Sequence, residues 1–538
     1  MKLNRLSIED TAAWKKAGVK LPSFDVGSMI DTTLESPVWL HFGAGNIFRG
    51  FIARLQQELL EKGMADKGIL AADTFDYGII DRIYRPHDNL TLLVSLNSDG
   101  TTEREVIASV AGAYRADVED TGEEHELIRI FTNSSLQMVS FTITEKGYSL
   151  YDMNGNLLPT ATRDLEQGPR TAHHAMALVA FLMYMRYLSG AFPIALVSMD
   201  NCSHNGEKLR ESVLTFVNGW RERGYVDQAF VEYMMDETQV SFPWSMIDKI
   251  TPRPSESVFR SLSQDGIEGM DPVITTKGTF IAPFVNAETP QYLVIEDKFP
   301  NGRPLLEQAG VYMTDRKTVN DTERMKVTTC LNPLHTALAV YGCLLGYTRI
   351  ADEMNDPDLR RLVERIGYDE GMPVVTNPGI IDPGAFLREV LEERLPNAFL
   401  PDAPQRIATD TSQKVSIRFG ETIKSYCAMP GMDVTDLTCI PLVIAGWFRY
   451  LLAVDDKGEH MELSSDPMLP EFQSILSSVR VGNPDSYTGQ LRPILSNASI
   501  FAVNLVQVGL ADKIESMFCT MIKGPGAVRD TLKYFLNP

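Results

Sequence analysis

Residues 326–335 (KVTTCLNPLH) place a lysine, an asparagine and a histidine close together, side chains used to move protons and to polarise a carbonyl. The proline after Asn332 predicts that Asn332 caps a helix whose first residue is Pro333. His335 then lies near the positive end of that helix, where a histidine remains neutral and polarises a carbonyl. Burial of Lys326 disfavours a charged ammonium, which is how a lysine becomes a general base for an alcohol. The structural alternative is a capping asparagine, a hydrogen-bonded core histidine and an exposed lysine.

A second polar segment, residues 198–206 (SMDNCSHNG), follows a predicted strand at the sheet edge where open α/β sheets bind ligands. The amide of Asn201 is suited to donate to an oxygen that gains negative charge in a transition state. A turn-forming asparagine is the alternative. Asp200 and His204 are conceivable metal ligands together with the adjacent His173 and His174. Neighbouring helical positions point in different directions, so we expect no metal here.

Residues 38–42 (VWLHF) read as a buried strand that ends at a glycine turn, Gly43-Ala44-Gly45, and residues 47–62 follow with apolar side chains at helical spacing. Such a turn lets backbone amides approach a pyrophosphate at a helix N-terminus. The fingerprint GxGxxG is incomplete, because Phe48 stands at the third glycine position. A tight turn that serves only the fold is the alternative.

Asp73 and Asp76 follow the second predicted strand, residues 69–72 (ILAA). An acid at this place accepts hydrogen bonds from the adenosine ribose of a dinucleotide and disfavours a 2′-phosphate, which favours NAD over NADP. The separation from Gly45 is longer than the usual spacing of about 20 residues. Solvated loop acids are the alternative.

The remaining pattern predicts strands that alternate with helices, and then helices alone. Strands are predicted at residues 90–96, 136–144 and 193–200, and helices at 170–188, 206–224, 334–345, 358–366, 383–393 and 437–454. Alternation of this kind predicts crossover connections and a mainly parallel sheet. The predicted fold class is therefore α/β, with a Rossmann-type domain at residues 1–300 and a mainly α-helical domain at 301–538.

Composition restricts the classes of function. With 50 basic and 71 acidic side chains the 538-residue chain carries a net charge of −21, so nucleic acid is not an expected partner. The six cysteines form no CxxC pair, which suits a reducing cytosol. No apolar run reaches the ~20 residues of a membrane helix, so we expect a cytoplasmic protein, and the oligomeric state stays open.

These segments together resemble the long-chain polyol dehydrogenase, or mannitol dehydrogenase, family over most of the chain. The motifs that carry the resemblance are HFGAGNIFRGF (41–51), TITEKGY (142–148), SMDNCSHNG (198–206), FPWSMIDKITP (242–252), QYLVIEDKFPNGRP (291–304), KVTTCLNPLH (326–335) and RIATDTSQK (406–414). Several motifs in one order are far more specific than a glycine turn.

The resemblance implies roles for individual residues. Lys326 matches the catalytic base, and Asn201 and Asn332 match an oxyanion hole for the reacting C–O group. His335 and Asp248 match residues that orient and bind the substrate. The family uses no catalytic metal.

Substrate and cofactor contacts are implied in the same way. Arg406 and Lys414 match residues of the substrate pocket, where one of them pairs with the carboxylate of a uronate. The cofactor-binding residues expected for NAD are Gly43, Gly45, Asn46, Phe48, Arg49, Asp73, Asp76 and Thr144.

The sequence departs from the family pattern at one place. Lys326 and Asn332 have five residues between them where the family has four, and Pro333 replaces a small residue. We expect a local bulge within residues 328–330.

The resemblance implies an NAD-dependent reductase that interconverts fructuronate and mannonate. Alternatives within the family are mannitol 2-dehydrogenase and tagaturonate reductase. The alternative from another class is a nucleotide-sensing protein without turnover.

Overall fold

The computed structural model describes residues 1–152, 155–400 and 402–537. It divides into two compact units, Met1–Asn320 and Asp321–Pro538, termed the first and the second unit. The sequence predicts domains at 1–300 and 301–538, and the division between the compact units falls after Asn320.

The strands of the described residues all lie in the first unit. They are β1 Val19–Lys20, β2 Trp39–Phe42, β3 Ile69–Asp73, β4 Thr91–Leu96, β5 Thr102–Ile107, β6 Val110–Arg115, β7 Met138–Phe141, β8 Ile194–Ser198, β9 Val240–Ser241, β10 Ser245–Asp248, β11 Val273–Ile274, β12 Phe280–Ile281, β13 Phe284–Glu288, β14 Tyr292–Glu296 and β15 Tyr312–Thr314.

Helices of the first unit alternate with these strands. The α-helices are α1 Arg5–Ile8, α2 Thr11–Lys16, α3 Val26–Glu35, α4 Ala53–Glu61, α5 Thr121–Thr132, α6 Thr144–Tyr148, α7 Pro159–Gln167, α8 Ala175–Leu188, α9 Asn205–Glu222, α10 Gln228–Met235 and α11 Glu256–Gln264; α12, Arg316–Met325, spans the division. The π-helical turns are Phe48–Ile52 and Ile80–Tyr84, and the 3-10 turns are Arg85–His87, Pro169–Thr171 and Leu306–Ala309.

The second unit is helical in its described residues. Its α-helices are α13 Asn332–Leu345, α14 Ile350–Glu353, α15 Pro357–Glu364, α16 Pro383–Glu389, α17 Pro404–Ile407, α18 Glu421–Ala428, α19 Cys439–Tyr450, α20 Leu469–Ile475, α21 Arg492–Leu495, α22 Ala498–Phe501, α23 Ala511–Met521 and α24 Ala527–Leu536. The π-helical turns are Lys326–Cys330, Arg365–Gly371, Val390–Arg394 and Ser416–Gly420, and the 3-10 turns are Met372–Val374, Thr411–Gln413, Val434–Asp436 and Pro484–Ser486.

The central sheet of the first unit is parallel throughout, in the order β6-β3-β2-β7-β8-β9. Counted along the chain, this is the order 3-2-1-4-5-6 of the Rossmann fold. Its inner strands are buried over their whole length, as expected for parallel strands covered by helices on both faces. The order reverses between β2 and β7, so the ligand crevice lies at their carboxyl ends.

Successive residues of β2 enter two separate apolar cores, because alternate strand side chains point to opposite faces. Leu40 and Phe42 pack in one core together with α8 and α9. Trp39 packs in the other with the Phe48–Ile52 turn and α4. Burial of each such side chain contributes about 1.5–3 kcal/mol, and together they fix the strand that carries the glycine turn.

The strand predicted at residues 90–96 exists as β4 but lies outside the central sheet. β4 pairs antiparallel with β5 and parallel with β13, in a sheet ordered β1-β5-β4-β13. A tight turn explains this pairing: the Asn97 amide donates to the Thr101 carbonyl at 3.1 Å, and Gly100 has a φ of +89°. A short hairpin turn joins neighbouring strands of the chain before a crossover can form.

A smaller sheet, β10-β14-β15, carries the predicted substrate residue Asp248 at the end of β10. β10 runs antiparallel to β14, and Asp248 lies opposite Tyr292.

Helices α13 and α19 form the centre of the second unit. Every residue of α19 is buried, and the hydroxyl of Tyr341 on α13 donates to the Leu442 carbonyl at 2.8 Å. A Cβ at Gly446 would lie 2.8 Å from the Tyr341 ring, so glycine permits this close approach. Helices that are apolar all round pack inside a bundle, and the predicted fold class, a Rossmann-type domain followed by a helical domain, is confirmed.

Among the described residues, no helix combines the length and the apolar character that crossing a bilayer requires.

Candidate active site

The glycine turn after β2 leaves room beside its backbone. Gly43 has a φ of +103°, and a Cβ there would lie 2.1 Å from the Thr142 carbonyl oxygen, so the position requires glycine. Nothing lies within 4 Å of the Cβ position of Gly45. The Arg49 amide donates to the Gly45 carbonyl at 3.1 Å, which starts the helix there. Gly43 shapes the turn, and Gly45 leaves an open cradle at a helix N-terminus, where anions bind.

A buried histidine supports this turn from inside the sheet. His41 shares hydrogen bonds with Ser140, from Nδ1 to Oγ at 2.6 Å, and with Thr142, from Nε2 to Oγ1 at 2.8 Å. Its ring stacks on Phe48, with the centroids 4.2 Å apart. Burial lowers the pKa of His41 to about 3, so the ring is neutral near pH 7. This stacking gives the aromatic residue at the third glycine position a structural role.

Arg49 and Asn46, both expected at the cofactor, bond to each other. The Arg49 guanidinium is fully buried; it donates to Asn46 Oδ1 at 2.8 Å and to the Ala282 carbonyl at 2.7 Å. The Asn46 amide donates to the Pro252 carbonyl at 3.3 Å. Both side chains therefore tie the first helical turn to later loops.

The two predicted acids after β3 have different partners. Asp73 accepts hydrogen bonds from the amides of Ala44, Phe75 and Asp76 at 3.1, 2.9 and 2.8 Å. Burial raises the pKa of Asp73, although these amides act in the opposite direction. Asp76 accepts from the Thr275 hydroxyl at 2.5 Å. Asp73 thus links the glycine turn to its own loop, and Asp76 anchors that loop to the segment between β11 and β12.

The carboxyl ends of β7 and β8 are joined through Asp200. Its carboxylate accepts from the amides of Ile143 and Thr144 at 2.9 Å each and from the Tyr148 hydroxyl at 2.6 Å. Thr144 is exposed and has a left-handed backbone with φ +64°. Asn201, the next residue along from Asp200, is exposed, at the edge of the sheet where the sequence predicted it.

Asn205 is a site residue that the sequence analysis missed. Its amide donates to the Asp200 carbonyl at 2.9 Å and to the Ser245 carbonyl at 3.0 Å, and its Oδ1 accepts from the Ser245 amide at 3.0 Å. Asn205 therefore holds the Asn201 loop against β10, whose last residue is the buried Asp248. The only local signal was a second asparagine in SMDNCSHNG.

No group of three or more histidine, cysteine, aspartate or glutamate side chains is placed to hold a metal ion in residues 1–152, 155–400 and 402–537. His204 stacks on Trp244 instead, with the ring centroids 4.6 Å apart.

In the second unit, Lys326 opens the π-helical turn Lys326–Cys330. The Leu331 amide donates to the Lys326 carbonyl, five residues back, at 3.1 Å, where an α-helix would bond four residues back. The Lys326 side chain is 1% exposed. The bulge predicted within residues 328–330 is confirmed as this π-turn, which accommodates the extra residue before Asn332.

Helix α13 begins at Asn332, with Leu331 in the capping position and Pro333 second. The predicted capping role of Asn332 is wrong, because no side chain caps this helix start. The π-turn brings the chain into the helix one residue earlier than the proline suggested. In the part of the second unit that the structure describes, the Asn332 carboxamide makes no hydrogen bond, so its amide is available to a ligand.

His335 is oriented by a carboxylate far away in sequence. Its Nε2 lies 2.5 Å from Asp402 Oδ2, and because an ionised carboxylate only accepts, Nε2 carries the shared proton. Burial opposes ionisation of Asp402, but the bond from His335 and the charge of Arg406 outweigh it and lower the pKa of Asp402. Arg406 itself pairs with Asp402 and is largely exposed. No local pattern pointed to Asp402.

Lys414 lies beside another missed residue, Arg418. Lys414 donates to the Thr409 carbonyl, and burial together with the charge of Arg418 lowers its pKa. Arg418 Nη1 donates to the Thr336 hydroxyl at 2.5 Å, and Thr336 donates to the Asn332 carbonyl at 2.9 Å. The second unit thus gathers these cations around the first turn of α13.

A Rossmann sheet with an open glycine cradle, joined in one chain to a helical unit that presents lysine, asparagine and histidine, defines the class as a two-domain dehydrogenase. The chain belongs to the mannitol dehydrogenase family. Residues 38–308 match the mannitol dehydrogenase Rossmann domain, and residues 318–518 match the mannitol dehydrogenase C-terminal domain. The resemblance found in the sequence motifs is confirmed.

Individual relatives match over nearly their full length. A D-mannonate oxidoreductase of Thermotoga maritima is 54% identical over 535 residues, 99% of this chain and 98% of that protein. A D-mannonate oxidoreductase of Escherichia coli is 27% identical over 496 residues, 91% and 92% of the two chains. Mannitol 2-dehydrogenase of Pseudomonas fluorescens, solved with NAD and D-mannitol, is 26% identical with a TM-score of 0.73 over 100% of both chains.

Proposed function

We propose that the protein is an NAD-dependent oxidoreductase that interconverts D-fructuronate and D-mannonate by hydride transfer. The observation that carries this proposal is the 54% identity to a D-mannonate oxidoreductase over 99% of the chain. The reaction interconverts the C5 ketone and the corresponding alcohol. It requires a hydride, a proton and side chains that bind the substrate carboxylate.

The residues of the first unit fit a dinucleotide. A side chain at Gly45 would fill the open space beside the turn, and a Cβ at Gly43 would collide with Thr142, so both glycines serve close backbone approach. Asp73, at the end of β3, is proposed to bind the adenosine ribose and to disfavour a 2′-phosphate. NADH, when bound, supplies the hydride.

The other proposed cofactor residues fall into two groups: four support the turn and its loop, and one is expected to contact the cofactor. Asn46, Phe48, Arg49 and Asp76 hold the glycine turn and the Asp73 loop in place through the contacts described. Thr144, exposed at the carboxyl end of β7, lies at the strand where the order reverses. A contact of Thr144 with the cofactor is the expected role.

Lys326 is proposed as the general acid and base. In the reductive direction its ammonium gives a proton to the oxygen of the ketone as the carbon receives the hydride; in the oxidative direction the neutral amine takes that proton back. Its 1% exposure removes competition from bulk water. The amides of Asn201 and Asn332 donate to the oxygen while it carries negative charge.

Substrate binding is assigned to the remaining predicted residues. His335, oriented by Asp402 through Nε2, keeps Nδ1 as an acceptor for a substrate hydroxyl when the ring is neutral. Asp248 accepts hydroxyl groups, and Arg406 and Lys414 supply positive charge for an anionic substrate.

The cytoplasm is the proposed location, since all six cysteines are free thiols, as in a reducing compartment. A small sugar acid is the proposed partner, and the net charge of −21 argues against nucleic acid.

The proposed reaction is tested with a panel of fructuronate, tagaturonate and fructose, each with NADH and with NADPH. We expect fructuronate with NADH to give the highest kcat/KM. Highest activity on fructose would indicate a mannitol 2-dehydrogenase, and highest activity on tagaturonate would indicate a tagaturonate reductase. Tight NADH binding without reduction of any substrate would support the nucleotide-sensing alternative.

The role of Lys326 is tested by Lys326→Ala. Loss of a positioned proton donor lowers kcat by about 10²- to 10⁴-fold, with the NADH dissociation constant and the unfolding midpoint unchanged. Lys424→Ala is the matched control, because Lys424 is 59% exposed and pairs only at the surface with Glu421. Near-normal turnover of Lys326→Ala would refute the assignment.

A further inference from the structure

We propose that Arg418 binds the substrate carboxylate and is the residue that selects uronates over neutral ketoses. This inference rests on the proposed function and adds a specificity residue that the sequence motifs do not contain.

Arg418 lies beside the first turn of α13. Thr336 lies one residue after His335 and four after Asn332, so these three side chains share one end and face of α13. Arg418 donates to the Thr336 hydroxyl at 2.5 Å. Its guanidinium is therefore fixed beside the helix face that carries two of the proposed catalytic residues.

Residues 416–428 run antiparallel to residues 328–336, because Thr422 donates to the Thr328 carbonyl at 3.1 Å whereas Arg418 bonds to Thr336. Thr422 therefore lies at the π-turn that presents Lys326, and Arg418 lies further along, beside α13. The carboxylate of fructuronate is four C–C bonds, about 5 Å, from its ketone carbon, so it requires a cation placed away from Lys326.

Arg418 has no carboxylate partner among the residues that the structure describes; its side-chain bond goes to a neutral hydroxyl. Arg406, in contrast, pairs with Asp402. Lys414 donates to a backbone carbonyl, and the charges of Asp410 and Asp466 act on it and raise its pKa against the larger effect of burial. No such acid acts on Arg418, whose pKa is shifted by burial alone, so Arg418 is the cation of this group whose charge is least compensated.

Electrostatics agree with this pairing. Burial lowers the pKa of Arg418 to about 10, and Arg418 and Arg406 both lower the pKa of Lys414, after the larger effect of burial. The repulsion among clustered cations is relieved when an anion binds between them. A planar guanidinium binds a carboxylate through two parallel hydrogen bonds, which a CH₂OH group cannot accept in the same way.

D-Fructose matches D-fructuronate except that CH₂OH replaces the carboxylate, so the pair isolates this end of the molecule. We expect Arg418→Met to raise the KM for fructuronate by about 30-fold or more and to change the KM for fructose by less than about threefold. Arg418→Lys keeps the positive charge but loses the planar guanidinium. Its KM for fructuronate should therefore lie between those of the wild type and Arg418→Met. Arg360→Met is the matched control, since Arg360 is 46% exposed and pairs with Glu364 on its own helix.

Thr336→Val removes the hydroxyl that holds Arg418 and keeps the side-chain volume. We expect it to weaken fructuronate binding in the same direction by about 3- to 10-fold. Added guanidinium chloride at millimolar concentration should partly restore the KM of Arg418→Met for fructuronate and leave fructose unaffected. If Arg418 had a purely structural role, its replacement would lower the affinity for both substrates equally, and guanidinium chloride would not restore it.

Affinity for D-mannonate and D-mannitol, measured by calorimetry at saturating NADH, decides the proposal without relying on turnover. Equal losses for both ligands, or unchanged mannonate affinity in Arg418→Met, would overturn it; if that variant does not fold, the same comparison in Thr336→Val and Arg418→Lys decides. A wild-type enzyme that binds mannonate through Arg418 but does not reduce fructuronate would defeat the proposed function alone.

Discussion

The proposed chemistry depends on single hydrogen bonds made by individual side chains. His335 has one ring nitrogen fixed by Asp402 at 2.5 Å, and Asn205 fixes the loop that carries Asn201. Neither partner touches the proposed reacting group directly. Asp402 fixes the His335 ring, and Asn205 fixes the backbone next to Asn201.

Asp402→Asn replaces the ionised partner of His335 by a neutral amide of the same shape. Since a hydrogen bond to a charged group contributes about 1.5–3 kcal/mol, we expect kcat/KM to fall by about 10- to 100-fold while the NADH affinity is retained. Steady-state kinetics and NADH fluorescence titration measure this. Asp369→Asn, at a 61% exposed acid, is the control and should keep wild-type kinetics; the same kinetics in Asp402→Asn would show that His335 needs no anchor.

The same variant should change how stability depends on pH. Asp402 has a lowered pKa in the folded protein, so its contribution is present above the unfolded-state pKa of about 3.9 and is lost as pH falls through the folded value. The urea midpoint of the wild type should therefore drop more steeply than that of Asp402→Asn between about pH 5 and pH 3. Parallel curves would contradict an ionised Asp402 in the native state.

Two irregular turns, one in each unit, carry residues of the proposed site. The glycine turn ends β2 and begins the helix at Gly45, and the π-turn Lys326–Cys330 leads into α13. Local helix geometry is changed at both places, as is frequent for π-turns near functional residues.

The variants Gly43→Ala and Gly45→Ala distinguish an effect on folding stability from an effect on cofactor binding. The first puts a Cβ 2.1 Å from the Thr142 carbonyl at a φ of +103°, and we expect a loss of about 2 kcal/mol or more in the free energy of unfolding. The second meets nothing within 4 Å, so stability should remain while the NADH affinity falls by about tenfold or more. Urea unfolding and NADH titration give the two quantities. Unchanged NADH affinity in Gly45→Ala would place the pyrophosphate elsewhere.

The chain as a whole is negatively charged, but it contains a local cluster of positive side chains. The net charge is −21, while Arg406, Lys414 and Arg418 are gathered in the second unit. A general excess of acids opposes the compact state by self-repulsion, and a local group of cations still attracts an anionic substrate at short range.

Salt should therefore stabilise the folded protein. Raising NaCl from about 0.02 to about 0.3 M shortens the screening length and should raise the Tm by roughly 1–4 °C, because repulsion among surface acids weakens. Differential scanning fluorimetry measures this, with choline chloride as a control for specific sodium binding. A Tm that falls with either salt would show that attractive ion pairs dominate the surface.

Many local elements and the order of the chemical groups follow from the amino-acid sequence alone. Strands β2, β3, β7 and β8, the glycine turn and the start of α13 within one residue follow from apolar periodicity and from glycine and proline, because these act on the nearest neighbours in the chain. Strands β6 and β9 of the same sheet were not predicted. The bulge between Lys326 and Asn332 followed from counting residues against the family pattern.

Which distant groups meet depends on the packing of the whole chain. Asp402 reaches His335 from 67 positions away, Arg418 reaches Thr336 from 82, and the 90–96 strand joins β5 and β13 instead of the central sheet. Such partners depend on how helices and sheets pack, which no local pattern encodes. Whether a half-buried cation such as Arg418 has an acid beside it is determined only by the packing of all the elements.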